Sequence, residues 1–492
     1  MTSGPPRRAV RRPRPATVTP SRRAVPDAVG TMLELVVGPV AHGGFCVARA
    51  DGRVVFVRHA LPGERVRARV TDASHDRYWR ADAVDILDAA PQRVAVPCPH
   101  AGPGRCGGCD WQHADLAAQR QGKAEVVADA LRRFGGVELA VDVEAVPVEV
   151  AAVEAGAGGR SAAPDDGLGW RTRMRFAVTA DGEIGLRASR SHQVVATPDC
   201  RIAHPLVAAA LAGRRFVGAE SVEVAASPST GQVSVTVRGD APASSPAVRD
   251  SLPVSAGPTA GNAAGDQAGR TVSGTPASHL GAGDGPVEGG PVVEKVAGRR
   301  FTVGPDAFWQ IHPRAPEVLV EAVRTALRAR PGETALDLYA GAGLFAAFLA
   351  ADVGPHGRVV AMESDPAAVS AAADNLADLP QVSLRGVRVT PATVRGVLGG
   401  GPVPAGVDIA VLDPPRSGVG AEVMTALLAY HPRAVAYVAC DPVALARDLA
   451  VASKAGYDLV SLRVFDLFPM THHVECVALL APSAAESEVT AF

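Results

Sequence analysis

Long apolar runs are missing from this 492-residue chain, and no stretch reaches the length that would span a bilayer. The first residues lack the apolar core of a secretory signal, so the chain reads as cytoplasmic with no membrane partner. Aromatic side chains are scarce, at 4%, which leaves any ligand surface few rings to stack on. The net charge is only −2, so bulk charge singles out no nucleic-acid partner. There are seven cysteines. In a reducing compartment these read as metal ligands, nucleophiles or small buried residues rather than disulfide partners.

What is present is uneven. The length suggests about three domains. Residues 1–29 form an Arg-rich tail, with Arg7, Arg8, Arg11, Arg12, Arg14, Arg22 and Arg23 and no acid before Asp27. It reads either as an arm that touches RNA phosphate or as a disordered tail with no dedicated role. Residues 30–90 show short strands with turn signals at Gly43-Gly44 and Pro62-Gly63, the pattern of a small β-barrel. Residues 91–300 carry a Cys-rich loop, a helix over about 114–134 and an α+β pattern. Two stretches poor in large apolar residues, 149–168 and 241–290, interrupt them, and the second reads as a disordered insert. Over 301–482 apolar runs alternate with helical patterns, the signature of a doubly wound, largely parallel α/β sheet, with a tail at 483–492.

Within that sheet the chemistry-bearing residues fall at strand ends, where open α/β sheets bind ligands. Leu336-Asp-Leu-Tyr-Ala-Gly-Ala-Gly-Leu344 takes a buried strand through a Gly-rich turn into a helix. Gly341 there permits close backbone approach. The next strand ends in Glu363, which reads as a ribose-binding acid or as a surface acid. Asp413-Pro-Pro-Arg416 follows another strand with a rigid turn. Cys440 ends the run Ala434–Ala439; a thiol there is a nucleophile or merely a small buried hydrophobe. Glu475 opens a terminal apolar strand and is a general-base candidate.

Taken in order, DLYAGAGLF, MES, DPPRSGVG, YVACDPVALARD and FPMTHHVECV resemble the S-adenosylmethionine-dependent RNA uracil-5-methyltransferases over most of the chain from residue 31. The resemblance implies a class I methyltransferase fold, with Cys440 as nucleophile and Glu475 as base. It also implies S-adenosylmethionine contacts from Gln310, Tyr339, Gly341, Glu363 and Asp413, with Gln310 supplied by the upstream Phe308-Trp-Gln310. The chemistry calls for these groups. Uracil C5 becomes nucleophilic only when a thiolate adds at C6, and a base must then take the C5 proton before the thiolate can leave. The target base must first leave its stack. Two positions depart from the family pattern. His312 stands where Asn is usual, and so does Asp441, which lacks an amide donor.

A second cluster, Cys98, Cys106 and Cys109 with Cys200 as the fourth member, suits zinc or an iron–sulfur cluster. The same resemblance favours [4Fe–4S]. His100 and His113 read as loop or surface residues, and Cys46 and Cys476 as buried thiols. The N-terminal β-rich region resembles a TRAM domain, an OB-like RNA-binding module. There Arg58, Arg65, Arg67 and Arg69 are expected to dominate RNA contact, unless alternating Arg is only a solvated strand face. The expected substrate is a uridine in 23S ribosomal RNA, with a tRNA T-loop uridine as the alternative. No protein partner is indicated. A non-catalytic RNA-binding protein would not need the full set of motifs. An adenine amino-methyltransferase would place an aromatic residue where Arg416 stands, and would not need Cys440.

Overall fold

The computed structural model describes residues 28–148, 166–239, 287–396 and 406–483. The Arg-rich tail and most of both low-complexity stretches lie outside the described residues. No helix among the described residues is long and apolar enough to cross a membrane.

The first sheet contains β1 (Met32–Val36), β2 (Val40–Ala41), β3 (Phe45–Ala50), β4 (Arg53–Arg58), β5 (Arg65–Asp72) and β6 (Tyr78–Asp88), in the order β1-β5-β6-β4-β3-β2. Alternation along β5 turns Val66, Ala68 and Val70 inward and Arg65, Arg67 and Arg69 to solvent. The expected barrel is not closed by a strand ladder. Its two edges are instead consecutive pieces of chain, bent so that Gly38 N donates to Val47 O (2.7 Å) and Val47 N to Pro39 O (3.0 Å). Only glycine fits that bend, since a Cβ at Gly38 would sit 2.9 Å from the Val47 oxygen.

Helix α1 (Leu116–Ala130) starts where the Asp115 carboxylate accepts from Ala118 N (2.7 Å), and it runs on as a π-helical turn to Gly135. After β7 (Glu144–Ala145), the central sheet has β8 (Arg173–Val178), β9 (Ile184–Arg187), β10 (Val194–Ala196), β11 (Ser221–Ser227), β12 (Gln232–Arg238) and β13 (Val287–Glu288). Their order is β10-β9-β8-β11-β12-β13, with α2 (Pro205–Leu211) packed on β11 and β12. A hairpin of β14 (Val292–Val296) and β15 (Arg299–Val303) leads onward.

The C-terminal sheet is the α/β unit the sequence predicts. Its strands are β16 (Thr334–Leu338), β17 (Arg358–Glu363), β18 (Val382–Gly386), β19 (Ile409–Leu412), β20 (Ala434–Ala439), β21 (Tyr457–Asp466) and β22 (Glu475–Pro482), and β7 adds an eighth. The order is β18-β17-β16-β19-β20-β22-β21-β7. The first five are mutually parallel, whereas β22 runs antiparallel between β20 and β21. Helices α3 (Ala315–Leu327), α4 (Leu344–Val353), α5 (Pro366–Asn375), α6 (Pro391–Arg395), α7 (Ala421–Leu428) and α8 (Pro442–Lys454) surround it. β19 and β20 are buried at every position, which is why they read as continuous apolar runs rather than alternating ones.

One buried ion pair ties α1 to this unit. The Lys123 Nζ, with a fully buried side chain, donates to Asp466 Oδ1 (2.5 Å) and to Phe468 O (3.0 Å). Burial lowers the affinity of Lys123 for its proton, and the Asp466 carboxylate opposes that loss. Removing one partner strands a buried charge, so Lys123→Met should cost about 3–5 kcal/mol of stability, whereas Lys123→Met with Asp466→Leu should cost much less. Urea unfolding of the two variants checks this; equal losses would contradict it.

Candidate active site

The register of one ladder brings thiol and carboxylate together. Ala439 pairs with Cys476 across the antiparallel β20–β22 ladder, so the next residues out, Cys440 and Glu475, face each other at the end of the sheet. Glu475 is buried, and burial, with the nearby Asp413 carboxylate, holds its carboxyl well above the usual range, while Arg416 pulls it down. Cys440 is half-buried. Burial first, then the Glu475 charge, push its thiol up to about 12, and Arg416 opposes them. The thiol opens into a small cleft that His42, Gly44, Trp111, Arg416, Asp441 and His472 help to line.

A second group of carboxyls sits at the ends of β16, β17 and β19, where the strand order reverses. Asp337 is fully buried; its Oδ2 accepts from Ala346 N (2.7 Å), and burial raises it to about 8. Asp413 follows β19 and is raised by burial to about 7. Glu363 Oε2 accepts from Gly341 N (2.9 Å), and its Oε1 from Ser364 N (2.6 Å) and Asp365 N (2.8 Å). The turn between them is conformationally demanding. Tyr339 takes a left-handed φ of 71°, and both Tyr339 N and Ala340 N donate to Met362 O. Space beside Gly341 is open: a Cβ there would meet nothing within 4 Å. Buried carboxyls around an open cradle suit a cationic ligand carrying hydroxyls. Asp413 joins the two groups, because its charge acts on Asp337 and on both Glu475 and Cys440. Gln310 is buried in the loop before α3, and among the described residues no hydrogen bond ties it to this group.

Asp441 is the helix cap of α8. Its Oδ1 accepts from Val443 N (3.0 Å) and Ala444 N (2.8 Å), and its Oδ2 accepts from His42 Nε2 (3.0 Å) of the first sheet. The Arg416 loop is held from beneath by Asp448, which accepts from Tyr437 Oη (2.7 Å), Val419 N (2.8 Å) and Gly420 N (3.1 Å). His312 is buried; its Nδ1 accepts from Arg314 N (3.2 Å), and burial lowers its pKa to about 3. Sequence reading passed over His42, Asp110 and His472. The only local signals for them were the CDWQH run after the cysteine loop and the THH run before Glu475.

The four cysteines of the second cluster converge. Cys106 bridges to Ala188, Gly107 N donates to Arg187 O (3.0 Å), and Cys200 precedes α2. Burial raises Cys109, Cys106 and Cys200, and the charges of their fellow thiols add to each shift. No three Cys, His, Asp or Glu among the described residues form a group that could hold a metal ion. His113 is buried rather than on the surface, with Nε2 facing Ala60 O (3.4 Å). Cys46 and Cys476 are buried as expected.

The arginine row of the first sheet is largely spoken for. Arg65 pairs with Glu34 and Asp88, Arg67 with Asp85, and Arg58 is buried against Asp110. Acids one strand away thus face Arg65 and Arg67, while Arg69 stays exposed. An aromatic row lies on the same sheet. Phe45, Phe56 and Tyr78 stand edge to face at 6.1 and 5.4 Å, and His75 stacks on Tyr78 at 4.3 Å. Arg190 and Arg80 lie 5.7 and 5.2 Å from the end rings.

A family model described as tRNA (Uracil-5-)-methyltransferase matches residues 406–483, which hold the β20–β22 ladder, and the TRAM domain model matches residues 26–84. An RNA methyltransferase of Streptomyces avermitilis is 44% identical over 462 residues, covering 93% of this chain and 99% of its own. The 23S rRNA (uracil(1939)-C(5))-methyltransferase RlmD of Halomonas elongata is 33% identical over 483 residues, covering 91% and 89%. Among solved structures, the Pyrococcus abyssi tRNA (uracil-54, C5)-methyltransferase in complex with S-adenosyl-L-homocysteine shares the fold. Its TM-score is 0.59 at 19% identity, over 91% of this chain and 99% of that one. With an N-terminal TRAM domain and a C-terminal sheet that brings Cys440 opposite Glu475, the chain belongs to the RNA (uracil-5-)-methyltransferase family.

Proposed function

We propose that this protein methylates C5 of a uridine in RNA through a covalent bond between Cys440 and uracil C6. The observation that carries the reading is the register that sets Cys440 opposite Glu475. Cys440 loses its thiol proton to solvent and adds to C6 as the thiolate, and the electron pair moves through C5 toward the ring carbonyl. S-adenosylmethionine supplies the methyl group that C5 takes. Glu475 then accepts the C5 proton, the pair left behind closes the C5–C6 double bond, and the thiolate leaves. A carboxylate raised by burial is the stronger base for that step, and Arg416 limits its rise. Glu363, Asp413 and the open turn at Tyr339–Gly341 would hold the methyl donor, together with Gln310. A sulfonium would compensate carboxyls that burial now penalises.

The RNA is read as 23S ribosomal RNA, supported by the similarity to the Halomonas enzyme and by the TRAM domain and cysteine loop. A flipped uridine would enter the Cys440 cleft, while flanking bases stack along Phe45, Phe56 and Tyr78 with Arg80 and Arg190 beside them. Cys98, Cys106, Cys109 and Cys200 would carry a [4Fe–4S] cluster. Their convergence supports it.

In cells, Cys440→Ala should abolish one 5-methyluridine, mapped by mass spectrometry of ribosomal and transfer RNA, while the isolated variant still binds S-adenosylmethionine. Full methylation by that variant would sink the covalent route, and loss of a tRNA site alone would move the substrate to tRNA. The raised thiol gives a second check. With its pKa at about 12, Cys440 is mostly protonated at neutral pH, so iodoacetamide labelling should be slow at pH 7 and rise roughly tenfold per pH unit. Labelling already at its plateau at pH 7 would contradict this. The purified protein should hold iron and acid-labile sulfide with visible absorption, and zinc in their place would reassign the cluster.

A further inference from the structure

The stretch that delivers Glu475 arrives from outside the sheet, and it is held by a carboxylate that the chemistry above does not use. Asp110 follows Cys109 directly. Its Oδ2 accepts from His472 Nδ1 (2.6 Å), and its Oδ1 accepts from Arg58 Nη2 (3.2 Å) at the end of β4. Asp110 N and Trp111 N both donate to Met470 O, at 2.9 and 3.0 Å, and Gln119 Oε1 accepts from Met470 N (2.7 Å). Met470 is buried with a left-handed φ of 68°, a conformation that a non-glycine residue keeps only where its surroundings fix it. His472 in turn abuts Gly44, where a Cβ would lie 2.8 Å from the His472 Cβ, and Trp111 Nε1 donates to Gly44 O (3.1 Å).

We propose that Asp110 is a positioning residue for proton abstraction: through His472 and Met470 it fixes the Met470–Glu475 segment so that the Glu475 carboxylate stays in register with Cys440. The cysteine loop, the first sheet and the base-bearing segment thus meet on one side chain. Methyl transfer depends on Cys440 and the donor, whereas release of the product depends on the base. Misplacing Glu475 therefore slows the second half of the reaction and leaves the first intact. The inference rests on the reading of Glu475 as base.

The test uses full-length protein, bulk RNA from cells lacking it, and S-adenosylmethionine with a labelled methyl group. Glu475→Gln should trap a labelled, denaturant-stable protein–RNA adduct, because the C5 proton stays and the thiolate cannot leave. Asp110→Ala should lower turnover about 10–100-fold, the cost of a misplaced catalytic group, with little change in the KM for RNA. It should accumulate the same labelled adduct. Asp110→Asn keeps an acceptor for His472 and should fall between Asp110→Ala and wild type. His472→Ala added to Asp110→Ala should cost little more, since both act through one contact. An Asp110→Ala or Asp110→Asn protein whose adduct formation falls in step with turnover would overturn the proposal, because a merely structural role predicts that. No adduct from Glu475→Gln, with wild-type protein active, would overturn the base assignment itself.

Discussion

The antiparallel pairing of β22 with β20 is the interaction on which the site depends. Five parallel strands deliver their chemistry to one edge because every strand ends there. A strand inserted in the opposite direction begins at that edge, so its first residue reaches the crevice without a loop. Glu475 is that first residue, and the register carries it opposite Cys440, the residue that follows β20. A slip of one residue would turn the Glu475 side chain to the other face of the sheet. Buried neighbours such as Val477, Ala478 and Leu480 forbid that slip, so hydrophobic packing sets the distance between thiol and carboxylate.

The electrostatics follow the same economy. Asp337, Asp413 and Glu475 are all raised by burial, and the cations that could answer them are few and placed at the rim. Of the cations, Arg416 acts on Cys440 and Glu475 together, and its loop is held by Asp448 and Tyr437 from inside the sheet. Burial therefore makes these acids hold their protons more tightly than exposed carboxyls do.

Much of this was legible in the sequence. The strands Arg173–Val178, Thr334–Leu338 and Ala434–Ala439 fall where apolar runs and turn residues place them. So do Cys440, Glu475, Glu363 and Asp413, because strand ends are marked by Gly, Pro and charge. β18 (Val382–Gly386) escaped notice since it is an edge strand with partly exposed residues throughout and no alternation. The partners of the arginine row were not legible for a different reason. Whether Arg65 and Arg67 face phosphate or acid depends on cross-strand register with Glu34, Asp85 and Asp88, which composition does not reveal. Asp441 reads in the sequence only as a departure from the usual Asn, without an amide donor. Its oxygens instead cap α8 and accept from His42, a contact that spans 399 residues and leaves no local signature.

That contact has a consequence for how such a chain can change. His42 is bonded to the neighbour of the nucleophile, and Arg58 to the anchor of the base, so the first sheet is wired into the reaction centre at two points. The module looks portable in sequence, with its own core and its own turn signals. Exchanging it for another copy of the same fold would leave Asp441 and Asp110 each with a buried or half-buried oxygen and no donor. Modules in this architecture can therefore diverge freely on their outer faces, but they must evolve in step where they meet.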